Sequence, residues 1–219
     1  ACAVTFGTTI VGGDTKETAD ITLCGTAFGR VKKTEFMART GTQLGDIVAV
    51  TGTLGKASVG YYALQQKHPA KKLTHGLLEP APRLREGRLL AQLRCVSSSM
   101  DISDGLSSSL YQLQELNRVG FEIKKNTLPL DPGFSVLSTT RTKIDASALA
   151  LHFGGDYELL VTMSPDMFET AQKTLQKQGC KLTAIGSVTK KRDIILVDGG
   201  KKTTLANKGY EHFKKHFFP

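Results

Sequence analysis

Asp101 and Asp104 stand three residues apart in "MDISDGL", with Ser103 beside the second acid and Gly105 after it. The preceding "LRCVSSS" reads as a strand, and Leu106, Leu110, Leu113 and Leu116 follow at helical spacing. The two carboxylates therefore sit where a strand hands over to a helix. One reading is a helix cap: Ser103 or Asp104 would accept backbone N–H groups, worth about 1 kcal/mol. A single acid or serine is enough for that. The second acid adds repulsion that a cation would relieve. Mg2+ takes one or two carboxylates together with phosphate oxygens and water, and a helix N-terminus supplies N–H donors and partial positive charge to a phosphate.

Two further Gly–Asp turns adjoin strand-like runs. "VGGDT" places Asp14 after two glycines, and "HFGGDYELLVT" places Asp156 after Gly154 and Gly155. Each alone reads equally well as a tight turn with an acid at its corner. Three together exceed what connections require and suggest a phosphate-handling cleft with several metal ions. His152 is read as a satisfied or exposed histidine rather than an acid–base group. Arg39, in "GRVKKTEFMART", is either a strand-end surface arginine or a forked phosphate clamp. No G-x-x-x-x-G-K-[ST] loop occurs; "GTLGKAS" comes nearest, with its glycines too close together. No G-x-S-x-G occurs either.

The elements that must position these residues alternate along the chain. "ADITLCGTAFGRV", "DIVAVTG", "CVSSSM", "VGFEIKK", "YELLVTM", "KLTAIGSV" and "DIILVDGG" read as strands. "ASVGYYALQQK", "RLREGRLLAQLR", residues 104–118, "DPGFSVLS", "DASALALHF" and "SPDMFETAQKTLQKQG" read as helices, the last starting at Ser164-Pro165 and stopping at Gly179. Residues 67–87 hold three of the seven prolines, a linker signature that puts a domain boundary near 70–82. The expectation is a β-rich part over 1–70 and an α/β domain over 83–219, with a mixed or antiparallel sheet and helices on one face.

Composition is that of a globular protein, 40% hydrophobic and 22% charged. No apolar run approaches the ~18 residues of a membrane span, and the N-terminus lacks the basic n-region of a signal peptide. It also lacks an initiator Met and opens inside an apolar run, which suggests a fragment or processed chain. Cys2, Cys24, Cys95 and Cys180 form no C-x-x-C pair, so reduced thiols in the cytoplasm are expected rather than zinc or disulfides. The net charge of +9 attracts anions, but the lysine pairs are scattered without interleaved aromatics. Solvated faces are the better reading of them than a nucleic-acid footprint.

The ordered set "VGGDT", "RTGTQLGDIVAVTGTLG", "EPAPRLREG", "MDISDGL", "HFGGDYELLVT" and "KGYEHF" resembles the thiamine-monophosphate kinases, from residue 10 to the end of the chain. "MDISDGL" followed by "GGDYELL" is specific. The "GDIVAVTGTLG" pattern is shared with a wider superfamily of aminoimidazole ribonucleotide synthetase, selenophosphate synthetase and the hydrogenase maturation dehydratase. The resemblance implies the C-terminal half of a PurM-like α/β (α+β) architecture, with residues 1–70 as part of an ATP-binding domain. It implies direct in-line transfer of the γ-phosphoryl of ATP, with Mg2+, to thiamine monophosphate. It makes Asp14, Asp101 and Asp104 metal ligands, Arg39 and Ser103 nucleotide contacts, and Gly154, Gly155, Asp156, Tyr157, Tyr210 and Phe213 the acceptor side. A cytoplasmic homodimer when full-length is implied, with neither nucleic acid nor membrane as partner. The sequence departs from the family in two ways. The long segment that precedes "GGDT" there, with further metal-binding acids, has no counterpart, so a truncated member of weak or no activity is expected. The family's "GGEDYEL" is shortened to "GGDYEL". Competing readings are another ATP-using superfamily member or a non-catalytic basic protein that binds anions or RNA.

Overall fold

The computed structural model describes residues 2–68, 70–137, 144–211 and 213. The chain forms two compact units, residues 1–33 and 34–219. In the first, a short helix α1 (Cys2–Thr5) is followed by residues 8–32 without helix or strand. The strand expected over "ADITLCGTAFGRV" is therefore not formed, nor is the β-rich part. Ile21, Leu23 and Phe28 are exposed there. A strand needs a hydrogen-bonding neighbour, and β-branched content alone does not supply one.

The second unit is built on a seven-stranded mixed sheet, in the order β2-β4-β1-β5-β3-β6-β7. Its strands are β1 (Ile47–Thr51), β2 (Val96–Asp101), β3 (Gly120–Lys124), β4 (Leu159–Met163), β5 (Leu182–Thr189), β6 (Ile194–Asp198) and β7 (Lys201–Thr204). All neighbours are antiparallel except β3 and β6. The helices are α2 (Lys56–Gln65), α3 (His75–Leu78), α4 (Leu84–Leu93), α5 (Leu106–Asn117), α6 (Gly133–Leu137), α7 (Ala146–His152) and α8 (Pro165–Lys177). The expected helix "DPGFSVLS" is α6, its last residue lying outside the described ones. β7 was not expected: its "KKTT" is exposed and polar, although the "DGG" turn before it is a hairpin signal.

Helices cover both faces of the sheet, not one. Val48 and Val50 of β1 join Leu160 of β4 and the α5 residues Leu106, Leu110 and Leu113 in one core cluster. Ala49 joins Val161 and Met163 of β4, Leu90 of α4, and Ala171 and Leu175 of α8 in another. The reason is legible in "DIVAVTG": a central strand that is apolar on both faces needs cover on both.

The boundary expected at 70–82 does not divide the molecule, because β1 lies in mid-sheet, between β4 and β5. The Pro-rich stretch folds back instead. Residues 71–74 form a 3-10 turn that runs into α3, and Leu73 packs on the cluster of Val59, Ala63 and Phe134. Leu110 is fully buried in the α5 face of the core. Leu110→Ala should lower unfolding free energy by about 2–5 kcal/mol, transfer and cavity terms combined, read as a lower urea midpoint by circular dichroism.

Candidate active site

Three segments far apart in sequence meet beyond the ends of β2 and β4. Past Asp101 the antiparallel pairing continues as backbone bonds: Ile102 N–H donates to Glu158 O (2.8 Å), Tyr157 N–H to Ile102 O (2.9 Å) and Gly155 N–H to Ser103 O (2.7 Å). The third segment closes on these, with Tyr210 N–H donating to Asp104 O (2.9 Å). Glycine is required at two of the contacts. A Cβ on Gly154 would strike Ser103 O, and one on Gly209 would strike Asp104 O.

Neither acid of "MDISDGL" caps the helix. The N-cap of α5 is Gly105, with no side-chain cap bond. Among the described residues, the Asp104 carboxylate and the Ser103 hydroxyl carry no hydrogen bond or ion pair and stay available to a ligand. Asp101 ends β2 with its side chain half exposed, and Arg39 Nη2 lies 3.9 Å from its Oδ1. Arg39 is placed by its own backbone. Ser99 N–H donates to Ala38 O (2.7 Å), and Asn117, at the end of α5, donates from Nδ2 to Arg39 O (2.9 Å) and accepts from Gly41 N (2.8 Å). Nη1 of Arg39 also reaches Gln112 Oε1 at 3.5 Å.

Asp156 behaves differently from expectation. It is buried, and both its oxygens are spent on the first turn of α2, accepting from Gly55 N (2.6 Å) and Ala57 N (3.0 Å). Its carboxylate is a cap for α2 rather than a group facing a substrate. Burial pushes its carboxyl from 3.8 up to about 6, against the pull of the two N–H donors and Lys56 and with the help of Glu158. Two residues on, fully buried Glu158 pairs with Lys56 and with Arg83, whose Nε lies 2.8 Å from Oε2. Thr51 Oγ1 donates to the same Oε2 at 2.8 Å. Sequence reasoning passed over Glu158, Lys56 and Arg83; the signal was "GTLGKAS" itself. Its glycine–lysine helix start does bind anions, but they are the chain's own carboxylates.

His152 Nδ1 lies 2.9 Å from Ser107 Oγ. Burial, with the nearby charge of Lys208, pulls its imidazole down to about 4, so it is neutral at neutral pH. Tyr157 and Tyr210 are partly exposed, and Phe213 is fully so; His212 lies outside the described residues. Asp14 belongs to the first unit, where it is exposed, accepts from Thr15 N (2.9 Å) and lies 3.8 Å from Lys16 Nζ.

Among the described residues, no three His, Cys, Asp or Glu side chains converge as a metal cage. What the second unit offers is a free carboxylate, a half-exposed one and a free hydroxyl on one turn. Such a donor set suits a hard cation that takes its remaining ligands from phosphate and water.

Residues 43–199 match the family model described as AIR synthase related protein, C-terminal domain. A thiamine-monophosphate kinase of Methanospirillum hungatei is 35% identical over 212 residues, 97% of this chain and 65% of that protein. A solved thiamine-monophosphate kinase of Stenotrophomonas maltophilia superposes with a TM-score of 0.69 at 27% identity, over 79% of this chain and 56% of that one. A structure of AaThiL complexed with AMPPCP and TMP gives 0.68 at 29% identity, over 81% and 54%. The chain thus spans about 65% of the length of the curated relatives it matches.

The raised Asp156 carboxyl fixes a sign. Between 3.8 and about 6 the folded state binds the proton that the unfolded state releases. The residue's contribution to stability is therefore full below pH 3.8 and lost as pH rises through about 6. Urea unfolding at a series of pH values across this window should show that slope in the wild type and its absence in Asp156→Asn.

Proposed function

The chain belongs to the AIR synthase related proteins, matched through their C-terminal domain, and from that premise we propose that it forms part of an ATP-dependent thiamine-monophosphate kinase. The observation that carries this is the meeting of "MDISDGL", "GGDYEL" and "KGY" on one surface, with Ser103 and Asp104 uncommitted at its centre. The relatives' names and the complex with AMPPCP and TMP support it.

In this reading the first unit is part of the ATP-binding domain. Asp101 and Asp104 would hold Mg2+, and Ser103 and Arg39 would contact the nucleotide phosphates; Asp14, on the first unit, is a metal-ligand candidate by itself. Mg2+ bound there would supply neutralisation of the charge that gathers on the transferring group. Gly154, Gly155 and Tyr157, with Tyr210 and Phe213, form the acceptor side, while Asp156 shapes it from behind. An oxygen of the thiamine phosphate forms the new bond to the γ-phosphorus as the bond to the β-bridging oxygen breaks, and ADP leaves. The nucleophile is already ionised, so placement supplies most of the rate. The full-length protein acts as a cytoplasmic homodimer on small molecules, with neither nucleic acid nor membrane as partner. No helix among the described residues is long and apolar enough to cross a membrane.

The test is thiamine diphosphate formation from thiamine monophosphate and Mg-ATP by the full-length protein, followed chromatographically. Asp104→Asn should cut kcat by about 100-fold or more, the scale of losing one preorganised electrostatic contact. Undiminished turnover by that variant would overturn the assignment.

A further inference from the structure

Tyr157 holds a left-handed backbone, with φ 51°. A bulky residue adopts this conformation only when its surroundings impose it. Here they do so from both sides. Asp156 before it and Glu158 after it both turn inward and grip three consecutive residues at the start of α2. Asp156 accepts from Gly55 N and Ala57 N, and Glu158 pairs with the Lys56 side chain between them. Gly52 leaves the room that Glu158 occupies: a Cβ there would strike its carboxylate. Phe153, at the other end of the loop, packs on Tyr61 of α2 with ring centroids 5.6 Å apart. Between the two acids Tyr157 stays 43% exposed, its N–H bonded to Ile102 O beside the Ser103–Asp104 turn.

We propose that Asp156 and Glu158 are positioning residues, which clamp the loop to α2 and hold Tyr157 in its left-handed conformation as a wall of the acceptor side of the site. This rests on the kinase reading for what the wall faces, but the clamp itself does not. The clamp explains why the chain buries two carboxylates where one cap would do. It also assigns a part to Lys56 and Arg83, which have no other evident role in the site.

The test uses the full-length protein with Glu158→Gln, and with the double variant Lys56→Met/Glu158→Gln, which removes the lysine should the single change leave it unpaired and unfold the chain, while Arg83 keeps Glu86 at 3.3 Å. Amide hydrogen exchange at Tyr157 should quicken by about tenfold or more in whichever variant stays folded, against unchanged exchange in β5. KM for thiamine monophosphate should rise by about tenfold, with KM for ATP within about twofold of wild type. A merely structural lesion would instead lower the active fraction and leave both KM values alone. Tyr157 exchange as slow as in wild type would overturn the clamp. Faster exchange with both KM values unchanged would overturn its positioning role. Should the wild-type protein not turn over thiamine monophosphate, the kinase reading fails and exchange at Tyr157 alone decides the clamp.

Discussion

The site rests on a short run of backbone hydrogen bonds that carries the β2–β4 pairing past the ends of both strands. Ile102 and Ser103 exchange bonds with Gly155, Tyr157 and Glu158, and Asp104 receives Tyr210. Each such bond contributes only about 1 kcal/mol net. Their importance is geometric, because they fix which side chains share a surface. The glycines follow from the same constraint. Two chains can run this close only where no Cβ intervenes, and the fold accepts the extra conformational entropy that glycine loses on ordering.

Within that frame the acids divide into two kinds. Asp156 and Glu158 are buried and fully occupied, one by helix N–H groups and the other by Lys56, Arg83 and Thr51. Burying them is costly unless each is paired, and removing one partner would leave the other exposed to the full desolvation penalty. Asp101 and Asp104 lie on the open side of the same turn, the first half exposed beside Arg39 and the second uncommitted. On the clamp proposal the occupied pair stiffens the loop, whereas among the described residues Asp101 has only Arg39 beside it and Asp104 has no side-chain partner.

Much of this was legible from residue types. Helix α8 begins at Pro165 as its start signal required, although the Ser164 hydroxyl makes no cap bond. Helix α5 and six of the seven strands follow from apolar periodicity. The segment "ADITLCGTAFGRV" failed because pattern announces readiness to pair, not the presence of a neighbour. The linker reading failed because proline content is local, whereas the packing of Leu73 against Val59 is tertiary. "MDISDGL" and "GGDYEL" were read as site segments and the fold brings them together, but spacing could not say which acid faces inward. Asp104 and Asp156 look alike as Gly-flanked aspartates, and only the position of α2 separates them.

The distribution of protonation states also bears on which acceptor the surface suits. A hydroxyl acceptor calls for a base near the attacking oxygen. His152 is held neutral with a value of about 4 and has a ring nitrogen against Ser107, which leaves it a weak base. Asp156 is committed to α2. Asp101 is paired with Arg39. A phosphate acceptor needs none of these groups as a base, because its oxygens are ionised before it binds. Its demand is the opposite one: two anions must be brought together on a turn that itself carries two carboxylates. In the proposed reading Arg39 would supply one positive charge there, and metal ions would supply the remaining compensation. A surface rich in oxygen donors and poor in bases is what that division of labour requires.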